Sequence, residues 1–529
     1  MLLNVSADTM WRAALALAAI VAVAGARALL GFLVPPRQLR QVPSVPALPF
    51  LWALLRMDPF EKTSRRFIMP AVKGKGAASV RGFFEISCWK DRANRRGGQW
   101  PQVWMAGRWG LFLSSPAYVK FFMTHTDAIP KVSTESQGKF ILDFFGAENV
   151  ASSNGEEWRR HRKVLNPAFR HTIPTQPFGD CTLELFEHID SAISRNDAVD
   201  IPLLMRRLTL DALGKALFNF NFNALRDPDN EYCRMYNGTF DGLINPFRIL
   251  FPKADPLISL FERNVTKSLR GLNKLVYNII DTRTKEIKAG LFDNAEERDK
   301  DMLTLMIEAS NADNESNWTT EDIKNNLMVF FLAGHDTTQA SLSVAIYFLA
   351  IFPEIQELAR QEVDRILGDA DRMQIPSVEQ CRNMKYIECI VKETLRIHPP
   401  APNIGPRVVK EAIDMDGLML PKGTYLFADF YTMQNSPEYW KNPDKFWPER
   451  FLPENNPPRD AWMPFGGGSR ICLGMQFSLT EQRVVLSMLL RNYTWKLPAN
   501  SPHEKELQVQ GLFGVLRLQD VLIQFEKRN

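Results

Sequence analysis

Ala13 to Val34 is apolar except for Arg27. As a helix rising ~1.5 Å per residue it reaches ~33 Å, enough to cross a bilayer core. Arg27 inside such a span is costly unless it snorkels to the interface. A cleaved signal peptide is one rival, with an apolar core over Ala13–Ala26 and a small-residue site at Ala24-Gly25-Ala26. A helix lying in the membrane interface is another. The expectation is an uncleaved anchor over residues 1–34. Pro35-Pro36 ends it, and Arg37 and Arg40 follow on the side the positive-inside rule leaves in the cytosol, although Arg12 on the other flank lessens the asymmetry. A proline-rich linker over 35–49 (Pro43, Pro46, Pro49) then leads into a unit over 50–529.

Within that unit the pattern changes period several times. Residues 50–130 alternate short apolar runs with basic clusters such as Arg92-Ala93-Asn94-Arg95-Arg96. Val103-Trp104-Met105 and Leu111-Phe112-Leu113 predict two short strands joined by a turn at Gly107–Gly110. Residues 180–300 predict several helices with polar connections, closing in the charged stretch Asp293–Asp301, and Ser310–Asn317 predicts a polar loop. Thr319 with Asp322 forms a capping pair that opens a helix running to about Phe352, where Pro353 stops it. Asp416-Gly417 and Pro421-Lys422-Gly423 mark turns of a small β region, and a long apolar helical pattern follows Gly474.

Composition narrows the classes. The 529 residues, 45% hydrophobic, can build a sizeable core and show no sign of wholesale disorder. A net charge of +4 is too small to argue for nucleic acid. Cys88, Cys181, Cys233, Cys381, Cys389 and Cys472 include no C-x-x-C pair and no zinc-like cluster, a sparse usage that fits a reducing compartment.

One cysteine stands apart. A free cysteine ordinarily behaves as a small buried hydrophobe, but Cys472 ends the turn-rich stretch Phe465-Gly466-Gly467-Gly468-Ser469-Arg470-Ile471-Cys472-Leu473-Gly474. Three glycines let backbone approach something flat and rigid, and N–H groups at the start of the following helix favour a thiolate. A thiolate is one of the few axial ligands haem iron accepts. The spacing Phe-x-x-Gly-x-Arg-x-Cys-x-Gly resembles the haem-binding signature of the cytochrome P450 superfamily, the haem-thiolate monooxygenases, with every fixed position filled. The resemblance implies Cys472 as the axial iron ligand, Phe465 packed near the sulfur and Arg470 on a haem propionate.

Other motifs follow in the family's order. Trp158 and Arg162 are i,i+4 on a basic helical run and resemble its Trp-x-x-x-Arg element, which implies that both bind a propionate. Arg159, Arg160 and Lys163 then offer a docking surface for an acidic redox partner. Ala333-Gly334-His335-Asp336-Thr337-Thr338 places a glycine and two threonines inside a helix, against propensity. It is similar to the family's oxygen-binding element. Ala333 and Thr337 would face the haem, Gly334 would open a groove for dioxygen, and Asp336 with Thr337 would deliver protons during oxygen activation. His335 points away and carries no role. Glu393 and Arg396, with Arg450 in Trp447-Pro448-Glu449-Arg450-Phe451, match a folding triad, and Arg407 stands where the family has a further propionate arginine. Ala401–Pro406 and Gly511-Leu512-Phe513-Gly514, both mostly apolar, fall where family members line the pocket.

The resemblance covers roughly residues 43–529. It implies a mainly α fold with a smaller β portion, the cytochrome P450 fold, and one haem b. It also implies insertion of one atom of dioxygen into a lipophilic small molecule, by hydroxylation or epoxidation. Electrons would come from NADPH through a separate cytochrome P450 reductase, with cytochrome b5 as an additional donor, since no flavin or nicotinamide domain is visible. The anchor-first order resembles microsomal members, single-pass in the endoplasmic reticulum membrane with the catalytic unit in the cytosol; of the sequons, including Asn4-Val5-Ser6 and Asn237-Gly238-Thr239, only Asn4 would face the lumen. Details of the signature look fungal, which suggests secondary or lipid metabolism. A family member that rearranges its substrate without dioxygen (an isomerase or dehydratase) and a non-catalytic haem-binding protein are the rival readings.

Overall fold

The structure, a computed structural model, describes residues 19, 23, 39, 42–56, 58–75, 77–84, 107–170, 173–243, 245, 247–248, 252–296, 300–312, 318–368, 371–510, 516–518 and 520–528. The anchor expected over 1–34 falls outside them but for two isolated positions. So do Val103–Met105 and the Gly511–Gly514 part of the pocket rim. Among the described residues no single helix is long and apolar enough to cross a membrane. Helix outweighs strand by 60% to 9%, the mainly α architecture with a smaller β portion that was expected.

The β portion near the site is a four-stranded sheet of β1 (Ala77–Phe84), β2 (Gly107–Leu113), β3 (Asn403–Val408) and β4 (Tyr425–Asp429), in the order β1-β2-β4-β3. β1 and β2 are antiparallel, β2 and β4 parallel, and β4 and β3 antiparallel with Asn403 opposite Asp429. This corrects the expected turn at Gly107–Gly110, because the whole segment is strand. Gly110 serves close approach: a Cβ there would lie 3.2 Å from the Tyr425 carbonyl of β4. The glycine therefore admits a neighbouring strand where composition suggested a chain reversal.

Six helices matter to the site: α1 (Pro116–Thr124), α2 (Gly155–Arg170), α3 (Ile201–Phe218), α4 (Thr320–Ile351), α5 (Lys385–Ile397) and α6 (Met475–Asn492). α4 opens with the capping pair read from the sequence. Thr319 Oγ1 accepts from Asp322 N–H at 3.2 Å, while Asp322 Oδ2 accepts from Thr319 N–H at 2.8 Å. It ends at Phe352, ahead of Pro353. Apolar residues surround α4 on nearly every face, so it runs through the interior, with α3 on one side and α6 on another.

α5 fixes the chain that leads to the cysteine loop. Glu393 is wholly buried, and its carboxylate accepts from Arg396 Nε at 2.8 Å and Nη2 at 3.0 Å, and from Arg450 Nε at 3.1 Å. The remaining guanidinium hydrogens go to main chain: Arg396 donates to the Gln434 and Pro443 carbonyls, and Arg450 to those of Lys441, Asn442 and Lys445. Two further bonds carry this frame forward. Trp462 Nε1 donates to Lys392 O at 3.1 Å, and Met463 N–H to Gln434 Oε1 at 3.0 Å, just ahead of Phe465. The four cysteines Cys181, Cys233, Cys381 and Cys389 are buried and unbridged. Burial pushes their thiols up to about 11 for Cys233 and about 12 for the others.

Replacing one member of a buried ion cluster strands the others' charge, which costs about 3–5 kcal/mol. Glu393→Gln is therefore expected to lower the unfolding free energy, read from denaturant titration, by that amount. A loss under ~1 kcal/mol in equilibrium unfolding would show that the carbonyl bonds alone hold the segment.

Candidate active site

Two left-handed glycines shape the loop that carries Cys472. Gly466 (φ 69°) and Gly468 (φ 64°) adopt backbone that other residues rarely reach, and a Cβ on Gly468 would lie 3.1 Å from the Met123 carbonyl of α1. The loop closes on itself, with Cys472 N–H donating to Phe465 O at 3.0 Å. Phe465 packs edge-on against Trp462, ring centres 6.3 Å apart. Cys472 keeps accessible surface and lies just ahead of α6, whose cap is Gly474. Burial raises its pKa, opposed by the Gly474 N–H and by the charge of Arg162. These two offset the burial only in part.

Four cations gather nearby. On α2, Trp158 and Arg162 share one face, with the guanidinium 5.7 Å from the indole centre, and Arg470 stacks on the same indole at 4.5 Å. Arg162 Nη2 also donates to the Ser469 and Ile471 carbonyls at 2.9 and 3.1 Å, so it braces the cysteine loop from outside. Arg470 Nη1 donates to Ser153 O at 2.9 Å, while its buried Nε has no partner among the described residues. Arg407 on β3 is buried, donates to Phe122 O at 2.7 Å and lies 4.4 Å over the Phe122 ring. The fourth cation, Lys131, was not singled out in the sequence. Its backbone pairs with Arg407 in an isolated antiparallel bridge and is clamped by Asn154, and its ammonium donates to Ala151 O.

The charges oppose one another. Lys131 is lowered to about 7 by burial and then by Arg470, Arg407 and Arg162. Arg407 falls to about 10 by burial and Arg470. Arg470 falls to about 10 by burial and Arg162, with Asp127 partly offsetting. Among the described residues no carboxylate forms an ion pair with any of the four; their partners are carbonyls. Like charges held together in this way, Arg407 buried and the other three half-buried, favour an incoming anion, and guanidinium forks suit carboxylates best. The donor set therefore fits a group bearing both a thiol-seeking metal and carboxylates, as haem does.

α4 supplies the second wall. Ala333 is exposed and Thr337 half-buried, and Thr337 Oγ1 donates to Ala333 O at 2.7 Å, both on one face. Asp336 is buried, its Oδ1 3.6 Å from His335 Nε2. His335 is fully buried, with Nδ1 3.1 Å from Thr209 Oγ1 of α3 and its ring 5.0 Å from that of Tyr236, so it faces the core. Gly334 departs from expectation: the space a Cβ would fill is taken by Leu213 Cδ1 at 2.6 Å, so this glycine admits α3 and does not open a groove. Two bonds tie the walls together. Thr338 Oγ1 donates to Ser478 Oγ at 3.0 Å, and Ser341 Oγ to Gln482 Oε1 at 2.6 Å, joining α4 to the helix that begins beside the cysteine.

The expected docking face is largely neutralised. Arg160 meets Glu157 and Asp322 and lies 3.6 Å from Glu148, while Arg159 meets Glu156 and lies 3.8 Å from Asp127; Lys163 remains exposed. Asp322 also caps α4, so Arg160 fastens α2 to that cap.

A sequence model of the family described as Cytochrome P450 matches residues 89–520. The chain is 29% identical to cytochrome P450 4V2 of Homo sapiens over 78% of this chain and 79% of that protein. It is 26% identical to cytochrome P450 4d2 of Drosophila melanogaster, over 77% and 83%. It is 28% identical to the protein LUTEIN DEFICIENT 5, chloroplastic, of Arabidopsis thaliana, over 69% and 62%.

Gly334→Ala would press a methyl into Leu213, and overpacking of this kind costs about 1–3 kcal/mol. Combining it with Leu213→Ala should cost less than the two single losses added together. Additive losses in a double-mutant cycle would show that the two positions do not meet.

Proposed function

The chain belongs to the cytochrome P450 family and is a haem-thiolate monooxygenase; from that premise we propose that it oxygenates a lipophilic small molecule with Cys472 as the axial ligand of haem b. The observation that carries this reading is one thiol, braced by Gly474 and Arg162, beside four cations that pair with no carboxylate among the described residues. Bound there, haem supplies oxygen activation and transfer of a single oxygen atom.

The chain's residues then divide the work. Arg162, Arg407 and Arg470 neutralise the haem carboxylates, with Trp158 as the flat platform beneath two of them. Phe465 shields the sulfur from water on the loop side, which raises the thiolate's donor strength. On α4, exposed Ala333 would leave room for the bound haem, and Gly334 lets Leu213 close the helix pair behind it. Thr337 donates its hydroxyl proton to Ala333 O, which leaves its oxygen free to accept a hydrogen bond in the site, and Asp336 would relay protons from solvent. Retention of this acid–threonine pair favours oxygen use over the isomerase or dehydratase reading.

The remaining parts of the proposal rest on the sequence. Residues 1–34 anchor the chain in the endoplasmic reticulum membrane, 35–49 link it, and 50–529 form the catalytic unit on the cytosolic side. NADPH–cytochrome P450 reductase and cytochrome b5 supply electrons. A fungal origin and a secondary-metabolic role rest on the signature's details alone; the relatives reported above are animal and plant.

The reduced carbon-monoxide spectrum of the purified protein should show a strongly red-shifted Soret band that Cys472→Ala abolishes. A band at an ordinary histidine-ligated position in well-folded parent protein would refute Cys472 as ligand. Thr337→Ala should leave that band intact while product per NADPH consumed falls, toward the roughly 10²-fold loss typical of a positioned proton donor. Unchanged coupling would remove Thr337 from proton delivery.

A further inference from the structure

We infer that one face of the helix Arg263–Lys288 is a docking surface for a short acidic segment of a partner protein. Arg263, Lys267, Arg270 and Lys274 are all exposed, and their spacing of four, three and four residues sets them in one row. The row is about 17 Å long at ~1.5 Å per residue. No acidic residue lies between positions 263 and 274, and among the described residues none of the four cations forms an ion pair. Like charges at this spacing repel, and Arg263 stands in the first turn, where the helix dipole disfavours a cation. The same helix answers its charge elsewhere, where Lys285 meets Asp281 at 2.6 Å. The row is thus an uncompensated feature of a helix that is otherwise able to compensate.

The platform beneath is close-packed. A Cβ on Gly271 would run into Met235 Sδ, and one on Gly238 into Ser268 Oγ, so this helix and its neighbour Glu231–Leu243 hold the row on a fixed pair. The exposed positions that continue the face, Tyr277, Asn278 and Asp281, add no aliphatic side chain. Leu257, Leu260 and Phe261, also exposed, stand on a separate helix, Asp255–Phe261. A helix that lies in a bilayer interface presents an apolar face beside its cations. This face is polar along its length and fits carboxylates held outside it. An extended chain covers ~3.4 Å per residue, so about five residues rich in Asp and Glu span the row. α2 offers less, since Arg159 and Arg160 are already met by the protein's own carboxylates.

The inference is independent of the haem reading and is tested on the full-length protein in nanodiscs of neutral phosphatidylcholine. A fluorescein-labelled hexaglutamate peptide should bind the parent at low salt. The row variant R263Q/K267Q/R270Q/K274Q should bind it at least about 10-fold more weakly in anisotropy titrations. The variant K410Q/K422Q/K441Q/K445Q, which removes the same charge from other exposed positions, should bind as the parent does. A parent that fails to bind the peptide would overturn the inference, and so would equal losses in the two variants, since net charge alone would then explain binding. The row variant should melt no lower than the parent, because only repulsion is removed; a lower melting temperature would mark the cations as structural and overturn the inference as well. In discs containing phosphatidylserine the ratio of parent to row-variant affinity should persist. Its collapse toward one would overturn the inference in favour of the bilayer as occupant. Dimers of detergent-solubilised parent that the row variant lacks would overturn it in favour of a second copy of the chain.

Discussion

A single buried carboxylate holds two arginines, and through them the chain that ends in the cysteine loop. Glu393 cannot be solvated where it lies, and neither can Arg396 or Arg450. Each therefore depends on the other two and on five main-chain carbonyls from residues 434 to 445. Those carbonyls belong to an irregular stretch without a sheet or long helix to satisfy them. The ion cluster does the work that a regular hydrogen-bond ladder does elsewhere, and it hands a fixed starting point to Trp462, Met463 and Phe465.

The cations around Cys472 obey the opposite rule. In the Glu393 cluster every charge is answered inside the protein, and the result is rigid. Around the loop, Lys131, Arg162, Arg407 and Arg470 have carbonyl partners and one another. The first arrangement is complete by itself; the second is complete only with an anion. This contrast separates scaffold from site more cleanly than burial does, since Arg396 and Arg407 are about equally buried.

Much of this was legible in the sequence because the family's motifs are local. Phe465–Gly474, Trp158 with Arg162, Ala333–Thr338 and Glu393 with Arg396 each lie within one turn or one helix face, and the capping pair at Thr319 announces α4. What stayed hidden depends on distant partners. Lys131 follows a proline in an undistinguished loop, and only pairing with residue 407 gives it a place. Gly334 reads as an opening until Leu213, from another helix, is seen to fill it. Gly107–Gly110 reads as a turn because glycine marks turns and tight strand packing alike, and the neighbour that decides, Tyr425, lies more than three hundred positions away.

The hydroxyl and amide bonds between α4 and α6 carry a consequence for how such an enzyme can diversify. Thr338 with Ser478, and Ser341 with Gln482, lock the helix bearing Thr337 to the helix behind Cys472. A change of register in one helix must drag the other, so selection for a new substrate finds little freedom there. Innovation is channelled into loops and strands that meet the ligand without belonging to this pair, and the reactive geometry is inherited whole while the recognition surface drifts.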